Sequence, residues 1–157
     1  MFTGIIQNLG EVVNFSDGEL EISTPLDLNE CKIGSSIACN GVCLTVTNIK
    51  HIDENFLFKV NLGEETQYRT NFSPNLFNKI IKINIEKSLK IGEEISGHFV
   101  YGHIDRTTKI NKINELKNSW EFYFENFQNQ DSRFIVEKAS ICINGISLTI
   151  AKVENKF

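Results

Sequence analysis

The sequence predicts an all-β protein built from two similar units in tandem. Short apolar-alternating runs rich in Val, Ile, Phe and Thr recur along the chain, separated by Gly, Asn, Asp and Ser at a spacing typical of β-sandwiches and barrels. The run SIACNGVCLTVT, Ser36 to Thr47, returns as SICINGISLTIA, Ser140 to Ala151. With 157 residues and 41% hydrophobic content the chain can bury a core, and the repeated phrase favours two small units over a single one.

In chain order the first unit, residues 1–89, carries the runs GEVVNF, LEIST, SIACN, VCLTVTNI, FLFKVNL and IIKINIE. The second, residues 90–157, carries HFVYGHI, WEFYFEN, SICIN and ISLTIAKV. Asn40-Gly41 and Asn144-Gly145 each sit between two alternating runs, the strongest short-range hairpin signal, because a type I′ turn needs positive φ at both central residues. The run SPNLFNKI offers a short helix start, with Ser73 as N-cap and Pro74 at the first helical position. SLKIGEEIS reads as an exposed connection between the units, and no parallel-sheet crossover pattern is present. A weaker echo, FTGIIQ against VYGHID, aligns Gly4 with Gly102 and Ile6 with Ile104 in the same order. From this phrase to Asn-Gly the second unit is about six residues longer, an excess expected in the polar stretch Asn111 to Ser119.

The net charge of -4 comes from interspersed Lys, Asp and Glu with no basic stripe, so no nucleic-acid partner is expected. The N-terminal MFTGIIQNLGEVV has no positive lead and is broken by Gly4, Gln7 and Asn8, which reads as neither signal peptide nor membrane span. A soluble, cytoplasmic protein is expected. Cys31, Cys39, Cys43 and Cys142 lack C-x-x-C spacing and should be free thiols, with no metal site.

In a duplicated fold, shared residues maintain the scaffold and differing ones let the halves do different things. Cys43 aligns with Ser147, and Ile5 with His103. Cysteine and histidine suit nucleophilic and proton-transfer work near neutral pH, although a cysteine in an apolar strand is ordinarily a small core residue. His98 and His103 are five apart, on opposite faces of an unbroken strand, unless Gly97 and Gly102 bend it. His103 and Asp105 share a face. Ser36 with Ser140 and Thr45 with Thr149 repeat beside the same turn.

The phrases MFTGII, SIACNGVCLTVT, ETQYRTNF, GHFVYGHID and INGISLTI, in this order and across essentially the whole chain, resemble those of riboflavin synthase of the α-chain type. The resemblance implies two similar six-stranded Greek-key barrels, the second incomplete in this chain, and a homotrimer gathered by a C-terminal helix. It implies the joining of two molecules of 6,7-dimethyl-8-ribityllumazine, one giving a four-carbon unit to the other, to yield riboflavin and a ribitylaminopyrimidinedione. The acidic 7-methyl group of the substrate makes a nearby base sufficient, with no cofactor or metal, and holding two rings together removes much of the entropy cost.

Carried over by resemblance, His103, Cys43, Ser36 and His98 are the catalytic candidates, with His103 expected to transfer protons. Gly4, Ile6, Thr45, Gly63, Glu65 and Thr66 are expected to bind ligand in the first barrel, and Gly102, Ile104, Ser147 and Thr149 in the second. The match runs out at Phe157 before the counterpart of residues 57 to about 90, so one good ligand site per chain, in the first barrel, and weak turnover are expected of these 157 residues. The alternative is a lumazine- or riboflavin-binding protein of the same fold without turnover.

Overall fold

A computed structural model describes residues 1–72, 82–125 and 133–154. Strict alternation builds its first half. The strands are β1 (Asn8–Ser16), β2 (Glu19–Thr24), β3 (Ser36–Cys39), β4 (Val42–Ile52), β5 (Asn55–Asn61) and β6 (Lys82–Lys87). On β2 the residues Leu20, Ile22 and Thr24 are buried while their neighbours are not, and on β5 Phe56, Phe58 and Val60 do the same. One face of each strand therefore has to be covered. Bending the sheet on itself in the order β1-β2-β5-β4-β3-β6, with β6 returning to β1, covers all of them and leaves no free edge. Register shifts between Val12 and Asn14 and between Val46 and Asn48 add the local bend and twist that closure needs.

Leu20, Ile22, Ile37, Phe58, Val60 and Ile85 are fully buried in the resulting core. Burying a side chain of this size contributes about 1.5–3 kcal/mol. Thr24, buried among them, satisfies its hydroxyl by donating to the Leu9 carbonyl at 3.0 Å.

The second half is less closed. β7 (Ile110–Glu115) pairs only with β8 (Trp120–Phe124), and β9 (Ser140–Ile143) only with β10 (Ile146–Thr149), among the described residues. The buried apolar side chains among the described residues all lie between Phe2 and Val100. The architecture is thus nearly all-β: one closed six-stranded barrel and a partial second set of strands.

Both expected hairpin tips form, with φ of 48° at Asn40, 83° at Gly41, 49° at Asn144 and 83° at Gly145. Three elements differ from the sequence reading. HFVYGHI is not a paired strand: its ladder pairing is one isolated bridge, Phe2 to Val100, and Gly102 at φ 79° turns the chain out of the extended region. The stretch expected to hold the extra residues contains β7, a strand the sequence reading did not name because its Asn, Lys and Glu residues hide its pairing with β8. The six-residue helix α1 (Glu64–Arg69) also went unforeseen; acidic residues in its first turn and Arg69 in its last favour it through the helix dipole. The helix start at Ser73 and Pro74 lies outside the described residues. Among the described residues no helix is long and apolar enough to cross a membrane.

Phe58→Ala removes a fully buried ring from the barrel core and should cost about 3–5 kcal/mol of unfolding free energy. Trp120→Ala, at a side chain 57% exposed, should cost about 0.5 kcal/mol or less. Denaturant unfolding of both variants checks this, and equal losses would mean that β7 and β8 share the barrel's cooperative core.

Candidate functional site

The N-terminal arm, residues 1–7, leaves the first barrel and meets the segment around Val100. Phe2 N–H donates to the Val100 carbonyl at 2.7 Å, and Val100 N–H returns a bond to Phe2 at 3.0 Å. Phe2 and Val100 are counterparts in the repeat, so an antiparallel bridge between them relates the two halves by an approximate twofold. Phe2, Ala38 and Val100 are buried together there, with Cys43 and Cys142 packed against them.

The same symmetry recurs on either side. Cys43 N–H donates to the Gly102 carbonyl at 2.9 Å, and its counterpart Ser147 N–H donates to the Gly4 carbonyl at 2.7 Å. Both glycines have positive φ, and a Cβ on Gly4 would lie 2.7 Å from Ser147 N, one on Gly102 2.6 Å from Cys43 Cβ. The hairpin tips touch as well: a Cβ on Gly41 would sit 2.6 Å from Gly145 N.

The consequence is a crossing of parts. The sequence grouped Gly4 and Ile6 with the first barrel's pocket and Gly102 and Ile104 with the second. In the structure Gly4 and Ile6 reach across to the second half, Gly4 against Ser147 and Ile6 beside Gly145. Gly102 lies against Cys43 of the first barrel, and Ile104 packs on that barrel's core. The reason is the Phe2–Val100 bridge, which carries each arm past the junction to the other side.

Two clefts result. One, of about 730 Å³, is lined by Val42, by Glu65, Thr66 and Arg69 of α1, and by His103 and Ile104 of the crossing segment. Arg69 ties its walls together, donating to Glu65 Oε1 at 2.9 Å and to the Asp105 carbonyl at 3.4 Å. The other, of about 720 Å³, is lined by His98, Gly102, His103, Ser140, Cys142 and Asn144, among others. Both volumes suit a small heterocyclic ligand.

Of the catalytic candidates, His98 and His103 line the second cleft and His103 lines both. His98 Nδ1 lies 2.7 Å from the Ser147 hydroxyl. Cys43 adjoins Gly102, next to His103, on the outer face of β4, opposite the inward Val42 and Leu44. Ser36 lines neither of these two clefts; it is paired in register with Thr45, and its carbonyl accepts from the Ser88 hydroxyl at 2.9 Å. Thr45 and Thr149 are exposed on their strands, and Gly63 caps α1, accepting from Gln67 N–H at 3.0 Å.

Sequence reasoning missed Glu86, which follows the inward Ile83 and Ile85 in IIKINIE and by alternation reads as an outward residue. The arm covers it: Glu86 is 3% exposed and accepts from Thr3 N–H at 2.7 Å, the Thr3 hydroxyl at 2.9 Å and Gly4 N–H at 3.1 Å. It also missed Arg69. Burial pushes the Cys142 thiol above its ordinary range, the nearby Glu86 carboxylate adding to the effect and a Gly145 backbone hydrogen bond opposing it. Burial pushes Cys39, inside the barrel, far higher.

The lumazine binding domain family matches residues 3–88 and 101–157 of this chain. Riboflavin synthase of Buchnera aphidicola subsp. Baizongia pistaciae is 37% identical over 161 residues, which cover 99% of this chain and 73% of that protein. Riboflavin synthase of Brucella abortus is 36% identical, covering 100% and 79%, and that of Saccharomyces cerevisiae 36%, covering 98% and 67%. The chain belongs to the riboflavin synthase family of lumazine-binding proteins. The crystal structure of LumP complexed with riboflavin superposes with a TM-score of 0.76 at 21% identity, covering 99% of this chain and 83% of that one, a likeness of fold. LumP complexed with 6,7-dimethyl-8-(1'-D-ribityl) lumazine gives a TM-score of 0.72.

The thiols of this family member should differ in reactivity. Cys39, fully buried and with its thiolate disfavoured, should resist iodoacetamide until the barrel unfolds, whereas the half-buried Cys43 should be modified in the native protein. Peptide mapping after timed alkylation reads both, and modification of Cys39 at the pace of Cys43 would contradict the closed barrel.

Proposed function

We propose that this chain carries out the riboflavin synthase reaction, converting two molecules of 6,7-dimethyl-8-ribityllumazine into riboflavin and 5-amino-6-ribitylaminopyrimidinedione. The observation that carries the proposal is the crossed junction, which makes two similar places for two identical reactants. At one, Gly102, His103 and Ile104 lie beside Cys43, Glu65 and Thr66; at the other, Gly4 lies beside Ser147 and Ile6 beside Gly145. Family membership supports the same reading.

The chemistry asks little of the protein beyond placement. One lumazine gives up a four-carbon unit and the other accepts it, and the two products together contain all the atoms of the two reactants. The first step is loss of a proton from the acidic 7-methyl group, and His103, exposed between both clefts, is the base or relay we assign to it. Cys43 and Ser36 assist addition to a ring or orient it, and His98, held by Ser147, serves the second place. Backbone groups of Gly4, Gly102 and Gly63 and the oxygens of Thr45, Thr149, Glu65 and Thr66 are assigned to ligand edges and ribityl hydroxyls. Binding two rings together converts an encounter of two solutes into a step within one complex.

The units divide near residue 89 and the chain resides in the cytoplasm, readings that come from the sequence, and a homotrimer is the state the resemblance implies for a full-length family member; all three belong to the proposal. Purified protein given the lumazine should produce one riboflavin for every two lumazines consumed, followed by chromatography. Ligand binding without any riboflavin would make it a binding protein instead. His103→Ala should lower turnover by about 10²- to 10⁴-fold while changing lumazine affinity far less. Near-normal turnover with collapsed binding would make His103 a pocket wall.

A further inference from the structure

Glu86 is the only buried charged side chain among the described residues. Burying a carboxylate is costly unless its oxygens are well supplied with donors. Here both are: Oε1 accepts from the Thr3 backbone and hydroxyl, and Oε2 from Gly4 N–H. The carboxylate therefore fixes the orientation of the Thr3–Gly4 dipeptide by its two N–H groups.

The two carbonyls of that dipeptide point onward to the second half. The Thr3 carbonyl accepts from His98 N–H at 3.0 Å, and the Gly4 carbonyl accepts from Ser147 N–H at 2.7 Å. His98 and Ser147 then meet side chain to side chain at 2.7 Å. Both members of the pair thus hang by their backbones from the dipeptide that Glu86 holds. A Cβ on Gly97 would lie 2.0 Å from the Thr3 carbonyl, so the approach of the His98 segment leaves no slack.

We propose that Glu86 is a positioning residue for the His98–Ser147 pair, acting through Thr3 and Gly4; this rests on the reading of the site as catalytic. A glutamine at this position keeps the size and one acceptor oxygen but sets an NH₂ against a backbone N–H, donor facing donor. The dipeptide must then rotate, and its carbonyls carry His98 and Ser147 with it. Displacements of this kind near a reacting centre cost up to about 10²-fold in rate.

The test is a double-mutant cycle on the full chain with Glu86→Gln and Ser147→Ala, together with the ring ¹⁵N signals of His98. Glu86→Gln should lower kcat by about 10- to 100-fold with KM within about threefold, yet have less than about a threefold further effect in the Ser147→Ala background. The His98 ring signals should move in Glu86→Gln in the direction in which Ser147→Ala moves them. Thr3→Val, which removes one of the three bonds to Glu86, should give the same changes in smaller size and replaces Glu86→Gln if circular dichroism shows that variant unfolded. Multiplying losses in the cycle with His98 signals unmoved would overturn the proposal and leave Glu86 a stability element alone. A wild-type chain without riboflavin formation would remove the catalytic reading of the site, while the His98 signals would still decide the positioning.

Discussion

Two backbone hydrogen bonds govern how the halves of this chain meet: Cys43 to Gly102 and Ser147 to Gly4. Each is worth only about 1 kcal/mol net, so their importance is geometric. They form only if a glycine arm lies flat against the opposite half's strand, and a Cβ on either glycine would collide with that strand. Once both are made, the Phe2–Val100 bridge, the abutting Asn-Gly turns and the packing of Ile104 on the barrel core are fixed together. The clefts are what remains between surfaces held this close, which is why residues from both halves line the one beside α1.

Much of the barrel was legible because alternation and burial are local facts. Leu20, Ile22, Phe58 and Val60 announce their face within a few residues of sequence, and the Asn-Gly pairs announce their turns. The repeat was legible for the same reason, and it named Gly4, Gly102, Cys43 and Ser147 as counterparts. It could not say which half each arm serves, because crossing is a property of the Phe2–Val100 bridge, an interaction between residues farther apart in sequence than the whole length of the first unit. Glu86 was hidden by the same logic. Its parity along β6 is that of an outward residue, and it is buried only because a distant segment covers it. α1 was hidden for want of length, since six residues carry too little periodicity to register.

The two halves differ where that junction makes difference useful. A symmetric pair of sites would treat identical ligands identically, whereas joining two identical molecules requires one to act as donor and the other as acceptor. Cys43 and Ser147 occupy equivalent strand positions under equivalent glycines, yet one presents a thiol beside the segment that carries His103 and the other a hydroxyl bonded to His98. Ile5 and His103 follow those glycines in their own arms, and only one of them can move a proton. Scaffold positions stay matched while the atoms facing the ligands do not.

That arrangement also explains why a costly buried carboxylate sits at the base of one arm. The Thr3–Gly4 peptide of the first arm presents two carbonyls to a different half of the molecule, to His98 N–H and to Ser147 N–H. Hydrogen bonds to an apolar wall do not exist, and a neutral side chain offers fewer acceptors than three donors require. A carboxylate on β6, a strand anchored on both sides by β1 and β3, supplies acceptors for all three donors from a rigid support. The carboxylate thus anchors the arm on the side where His98 and Ser147 meet.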